Sequence, residues 1–168
     1  MKDPLSTLSN ICYLILAALV AWFEPANELL IGSLVFLSAA SFLHHYGGAE
    51  HGTAFHKGDE AGIYAVMGTL IMQVFGIVGL LQIGAFLGVA VLLMRLEQTD
   101  LFKWTPALSC VVIAGLFMNY GIEAAWHVAI PASIGAGFRL LTENEDWQHA
   151  VWHVLSAASL GLAWWAML

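Results

Sequence analysis

The chain has 168 residues and a formal net charge of −7, and 60% of its residues are hydrophobic while only 10% are charged. Because soluble domains carry about 25% charged residues, this composition excludes an ordinary soluble protein and predicts an integral membrane protein. The five lysines and arginines form no basic patch, so nucleic acid is not expected as a partner.

Seven apolar runs follow one another along the chain, separated by short polar breaks. They cover residues 5–23, 29–46, 61–79, 82–96, 106–121, 124–141 and 148–167. Several lie near the lower limit of about 17 residues for a helix that crosses a bilayer core. Breaks near Gly79 and Gly121 divide stretches that would otherwise form single helices of roughly 50 Å, too long to span once. We therefore expect an all-α fold, a single domain over residues 1–168 that forms a seven-transmembrane-helix bundle.

The distribution of charge gives this bundle an orientation. With seven spans, the N-terminus and the breaks at 47–60, 97–105 and 142–147 lie on one side of the membrane. All the basic residues fall on that side or at its boundary, namely Lys2, Lys57, Arg95, Lys103 and Arg139. The positive-inside rule then places the N-terminus in the cytoplasm and the C-terminus outside. The first run lacks a small-residue cleavage site, so we expect it to be a retained span rather than a signal peptide.

Histidines are concentrated at the predicted cytoplasmic side. His51 and His56 belong to the loop at 47–58, where solvation accounts for them, and His127 lies toward the outer end of span six, where an interfacial role accounts for it. His44 and His45 end span two. Either could bind a metal ion, but Ser41 lies one helical turn before His45, which favours His45.

The last span contains two further histidines, His149 and His153, which lie one helical turn apart in HAVWHVLSA and at the same depth as His45. Polar groups inside membrane spans are costly and usually functional. Asp59 adds an acid at this depth, where GDEAGIYAVMGT begins span three. The helix macrodipole alone could account for an acid in a first turn. Together, however, three imidazoles with a nearby hydroxyl and carboxylate supply what a catalytic zinc ion requires.

These residues carry a resemblance to a known group of proteins. Ser41-x-x-x-His45, then Asp59, then His149-x-x-x-His153 resembles the CREST superfamily of seven-span membrane hydrolases. That group includes alkaline ceramidases, lipid-remodelling proteins, and the adiponectin and progestin receptor family with its hemolysin III-like members. The HAVWHVLSA and DEAGIY stretches are similar to those of the ceramidase branch.

The resemblance implies zinc bound by the three histidines His45, His149 and His153. It also implies that Asp59 holds or deprotonates the zinc-bound water and that Ser41 forms a hydrogen bond near it. The resemblance implies hydrolysis of a lipid amide or a related acyl bond. Zinc would supply the chemistry, because it lowers the pKa of its water to about 7 and a carboxylate within reach can accept the proton. The partners implied are the lipid bilayer and a membrane lipid as substrate, and the active site would face the cytoplasmic side of the cell membrane.

Other functions compete with a hydrolase. The N-terminal MKDPLSTLSN has no counterpart to the acidic calcium-binding segment of alkaline ceramidases, so calcium is not expected and ceramide itself is not assured as the substrate. A zinc-binding receptor or scaffold without catalysis is an alternative. A haem carrier would need histidines on both sides of the ring, and transporters bind near the bilayer midplane, whereas these polar residues cluster at one interface. Whether His44, His51 or His56 joins the metal site stays open.

Overall fold

A computed structural model describes residues 3–47, 52–77, 105–141 and 146–168, and over these ranges the protein is helical with no strand. The all-α prediction is thereby confirmed for this part of the chain. The predicted span at 82–96 lies outside the described residues. The helices are α1 (Pro4–Ser9), α2 (Ile11–Phe23), α3 (Glu28–Gly47), α4 (Gly52–Val74), α5 (Thr105–Tyr120), α6 (Ile122–Leu141) and α7 (Asp146–Trp165).

The first predicted span is formed by α1 and α2 together, with Asn10 between them. Pro4 stands in the first turn of α1, where a missing backbone N–H costs nothing. Asn10 keeps helical dihedral angles, with φ −62° and ψ −16°, so α2 follows α1 with little interruption. Ser6 and Thr7 of α1 are buried, whereas Leu5 and Leu8 are 50% and 64% exposed. This short helix therefore turns its polar side into the protein and its apolar side outward.

The third predicted span begins earlier than hydropathy indicates. We expected it to start at residue 61, after a loop, but α4 already begins at Gly52. Hydropathy measures transfer into lipid, so the charged stretch from Lys57 to Glu60 scores as a break on that scale. A helix tolerates this stretch, because Lys and Glu favour helices and Gly58 costs only about 1 kcal/mol. The helix ends before Gly76, which has a φ of +68°. The Ile77 N–H then bonds the Met72 carbonyl at 2.7 Å, a common way to close a helix.

The predicted break after span five is confirmed. Helix α5 ends at Tyr120 and α6 begins at Ile122, so a single residue, Gly121, makes the turn. Gly121 has a φ of +91°, a conformation that glycine adopts without the steric cost paid by other residues. The next two helices, α6 and α7, run antiparallel, because Phe138 contacts Trp147 near one end of the pair and Ser159 contacts Val128 further along.

Helices α3 and α4 approach each other closely where Gly62 faces Leu37. A Cβ atom at position 62 would lie only 2.7 Å from the Leu37 Cα atom, so any larger residue would push the two helices apart. Both helices carry predicted site residues, α3 with Ser41 and His45 and α4 with Asp59. The absence of a side chain at Gly62 thus allows the two helices that carry these residues to pack closely.

A polar network closes the end of the bundle that is remote from the histidines. The Trp164 indole N–H donates to the Glu24 carboxylate at 2.9 Å, and the Asn27 amide donates to the same oxygen at 2.8 Å. The Gln73 amide in turn donates to the Asn27 carbonyl oxygen at 2.7 Å. These bonds join the end of α2, the following turn, α4 and α7. We call the opposite end the histidine end. There α3 ends and α1, α4 and α7 begin.

Two helical stretches within the described ranges are long and apolar enough to cross a membrane. They are Pro4–Phe23, which takes α1 and α2 together, and Glu28–Tyr46; α5 is apolar but shorter. Helices α4 and α7 are long, but each begins with charged residues and histidines at the histidine end. Length and composition therefore support membrane crossing for two stretches, and the seven-span bundle stays a prediction.

Candidate metal centre

Three histidines converge at the histidine end from two helices. His45 lies in the last turn of α3, and His149 and His153 lie on one face of the first turns of α7 because they are four residues apart. Each offers a ring nitrogen, and these nitrogens all lie within 4.8 Å of one another, an arrangement that could hold a metal ion. The ring centroid of His45 lies 4.6 Å from that of His149 and 5.2 Å from that of His153.

Burial distinguishes these rings from surface histidines. His45 is only 5% exposed and His153 only 1%, and His149 is partly buried. Neutral imidazole is the commonest metal ligand, and three such ligands with one open position make a catalytic zinc site. The residues present therefore fit a zinc ion, and the donor set is the one that the sequence predicts.

His44 lies between His45 and His56. Its ring is 5.0 Å from that of His45 and 4.9 Å from that of His56 on α4. His56 in turn places Nε2 3.7 Å from the buried carboxylate of Glu60, one turn further along the helix. The loop expected around His56 is a helix, because α4 begins before it, but the His56 side chain is 43% exposed, as expected of a solvated residue. His51 lies outside the described residues.

Ser41 and Asp59, the predicted catalytic residues, are both deeply buried, at 1% and 2% exposure. Ser41 lies one turn before His45 on α3, as its spacing predicts. Asp59 lies about two turns into α4, and the first turn of that helix contains no acidic residue. The helix macrodipole, which acts within the first turn, therefore does not explain why a carboxylate stands at this buried position.

Tyr13 packs against one of the histidines, and sequence reasoning missed it. Its ring lies edge-on against that of His153, with centroids 6.0 Å apart. Tyr13 itself is only 2% exposed. A tyrosine in the middle of an apolar run looks like any core aromatic residue, so no feature of the sequence singles it out.

Two contacts from α1 reach the histidines, and sequence reasoning missed both. Ser9 Oγ lies 2.8 Å from Nδ1 of His153. The Asp3 carboxylate lies 3.7 Å from Nδ1 of His45. Metal-binding histidines usually bond an outer group through the nitrogen that does not face the metal. The Ser9 contact follows this pattern, and the Asp3 carboxylate faces the corresponding nitrogen of His45 at a distance longer than a direct hydrogen bond.

Helix α1 is itself held at the histidine end by α7. The Asp146 carboxylate accepts hydrogen bonds from the backbone N–H groups of Leu5 and Ser6, each at 2.8 Å. The residue before α1, Asp3, makes no side-chain cap of its own, so Asp146 caps this helix from another part of the chain. Partial desolvation opposes ionisation of Asp146, but the bonds from Ser6 and Leu5 outweigh it and lower the pKa of this carboxyl below its usual 3.8.

An apolar cavity of about 310 Å³ lies on the far side of Tyr13 and Trp152 from the histidines, and none of the three histidines lines it. Tyr13 and Trp152 form part of its wall, and the Trp152 ring also packs against His149 and His153, with centroids 5.4 and 5.2 Å apart. Most of the remaining wall is aliphatic, with a few hydroxyl groups such as that of Ser156. Ligand pockets typically have volumes of about 300–1,000 Å³ and mostly apolar walls, so the cavity suits a small apolar group held near the metal centre.

The exposed histidine of α6 takes no part in this site. His127 lies in the second turn of α6, and α6 runs antiparallel to α7, so it stands at the end of the bundle away from His149. Its exposure agrees with the interfacial role expected from its position in the chain.

Comparison with known proteins yields no match to a family model, a curated protein or a solved structure. Only the residues and spacings named above therefore carry the resemblance to the CREST superfamily.

Proposed function

We propose that the protein is a zinc-dependent membrane hydrolase that cleaves a lipid amide, or a related acyl bond, from the cytoplasmic side of the cell membrane. The observation that carries the proposal is the buried group of His45, His149 and His153 near an apolar cavity. A metal-binding group alone fits many functions. Its position near a cavity that suits an alkyl chain favours a substrate that joins a polar, cleavable bond to a hydrocarbon.

The surface of the bundle supports a membrane setting. Large apolar side chains face outward on most helices, and two of the most exposed are Trp22 at 81% and Met118 at 73%. Further examples are Leu14, Leu19, Val35, Phe36, Phe117, Ile130 and Ile134. So many large apolar side chains are rarely exposed by a monomeric soluble protein. In a bilayer they would face acyl chains, which supports a membrane location.

Each residue of the site would have its own role in the reaction. When bound, a zinc ion would polarise the substrate carbonyl and acidify a water molecule. His45, His149 and His153 would hold the ion, and the buried Asp59 carboxylate would accept a proton from the attacking water and return it to the leaving amine. The Ser41 hydroxyl would orient this water through a hydrogen bond. Trp152 and Tyr13 would separate the reacting end of the substrate from its hydrocarbon part in the cavity.

The proposal is tested with purified wild-type protein in detergent or lipid nanodiscs. Metal analysis should find about one zinc ion per chain, as a three-histidine site predicts, and mass spectrometry should detect release of fatty acid from a panel of lipid amides and esters. A chelator should abolish the release, and added zinc should restore it. Bound zinc without hydrolysis of any member of the panel would contradict the hydrolase and favour the receptor or scaffold.

A further inference from the structure

The hydroxyl of Ser9 makes two contacts that together determine where its hydrogen lies. Ser9 Oγ is 2.8 Å from the carbonyl oxygen of Ser6 and 2.8 Å from Nδ1 of His153. A hydroxyl has one hydrogen to donate, and a carbonyl oxygen can only accept. Both contacts are hydrogen bonds only when the Ser9 O–H group donates to Ser6 and its oxygen accepts a hydrogen bond from His153.

This assignment fixes the tautomer of His153. Because Nδ1 must carry the hydrogen that Ser9 accepts, the neutral ring has its lone pair on Nε2. Metal ions bind the unprotonated nitrogen of a neutral imidazole. The opposite tautomer would direct the lone pair at Ser9, away from any metal ion held among the histidines. His153 is only 1% exposed, so bulk water does not compete for this contact.

We propose that Ser9 is a positioning residue of the metal centre, which sets the tautomer and ring orientation of His153 so that Nε2 is the ligand atom. The inference rests on the zinc site of the proposed function. It also means that α1 contributes to that site, because Ser9 is the last residue of this short helix. Asp3, at the other end of α1, approaches His45 at 3.7 Å, which is longer than a direct hydrogen bond, so Ser9 makes the stronger contact.

A neighbouring serine in the same helix provides a matched control. Ser6 is only 1% exposed, and its hydroxyl donates a 3.1 Å hydrogen bond to the backbone carbonyl of Asp146. Replacing Ser6 by alanine leaves its own carbonyl oxygen in place, so the contact between Ser9 and His153 survives. Ser6→Ala thus weakens the docking of α1 without touching an imidazole, and Ser9→Ala removes the hydroxyl that touches one.

The experiment compares zinc affinity by chelator competition in the wild type, Ser9→Ala, Ser9→Thr and Ser6→Ala. Loss of an outer hydrogen bond to a metal-binding histidine typically lowers affinity 10–100-fold, and this is the expected effect of Ser9→Ala. Ser9→Thr keeps the hydroxyl and should restore most of the affinity, while Ser6→Ala should stay close to the wild type. Equal affinities for the wild type and Ser9→Ala, or an equal loss in Ser6→Ala, would overturn the proposal.

A second measurement reads the tautomer directly and does not depend on catalysis. Nitrogen-15 NMR of metal-free wild-type protein should show His153 protonated at Nδ1, and Ser9→Ala should lose this preference. A wild type protonated at Nε2 would overturn the proposal even if Ser9→Ala fails to fold. A protein that binds zinc in a Ser9-dependent way but hydrolyses no lipid would contradict the hydrolase while supporting the role of Ser9.

Discussion

The backbone N–H of Ser6 donates a 2.8 Å hydrogen bond to the Asp146 carboxylate, although the two residues are 140 positions apart. Leu5 donates to the other oxygen of the same carboxylate. The two groups are N–H donors that the start of a helix leaves without an internal partner. One carboxylate at the start of α7 therefore fixes α1 at the histidine end, where Ser9 reaches the metal centre.

Asp146→Asn should loosen this docking. The amide keeps the size of the side chain but has one acceptor oxygen instead of two, so one of the two N–H bonds is lost, and a hydrogen bond typically contributes about 1 kcal/mol. We expect a lower thermal midpoint in detergent at neutral pH, measured by circular dichroism or a fluorescent thermal-shift assay. An unchanged midpoint would mean that the carboxylate does not hold α1.

The same carboxylate predicts how stability depends on pH. The pKa of Asp146 is lowered in the folded protein, relative to its usual 3.8, chiefly because the hydrogen bonds from Ser6 and Leu5 outweigh desolvation. Its contribution is therefore fully present above pH 3.8 and is lost as the pH falls through the lower, folded value. The difference in thermal midpoint between wild type and Asp146→Asn should shrink below pH 3.8. A difference that stays constant at acid pH would contradict this.

The histidines should differ sharply in their effect on metal content. His149→Ala and His153→Ala each remove one of three ligands, so each variant should lose most of its zinc, as measured by mass spectrometry of the purified protein. His127→Ala is the matched control, because His127 is an exposed histidine of α6 outside the group. Full zinc content in both α7 variants would refute the assignment of the ligands.

The two ends of the bundle should be accessible from opposite sides of the membrane. Lys57 is exposed in the early turns of α4 at the histidine end, and Ala26 is exposed in the turn between α2 and α3 at the other end. In a background without Cys12 and Cys110, Lys57→Cys should react with a membrane-impermeant thiol reagent only from the cytoplasm, and Ala26→Cys only from outside. The positive-inside rule sets this direction, and the reverse labelling would place the metal centre on the outer side.

The spacing of residues along the sequence was enough to predict which three histidines the structure brings together. His149 and His153 share a face because they are four residues apart, and Ser41 selects His45 over His44 for the same reason. The start of α4 was not predictable from hydropathy, because a charged stretch inside a helix reads as a loop when its buried partners are unknown. Ser9 and Tyr13 were missed because their roles depend on tertiary contacts, 144 positions apart for Ser9 and His153, which no local pattern encodes.

Asp59→Asn tests the central claim, hydrolysis with Asp59 as the base, most directly. The substitution keeps the shape of a side chain that is only 2% exposed but removes its ability to accept a proton. Glu60→Gln is the matched control, since Glu60 is the adjacent carboxylate and is 3% exposed. The measurement is the rate of fatty-acid release from a lipid amide at equal zinc content. We predict that Asp59→Asn keeps its zinc and loses 10²–10⁴-fold in rate, the contribution typical of a general base, while Glu60→Gln stays active. Turnover in Asp59→Asn equal to that of the wild type would contradict the account.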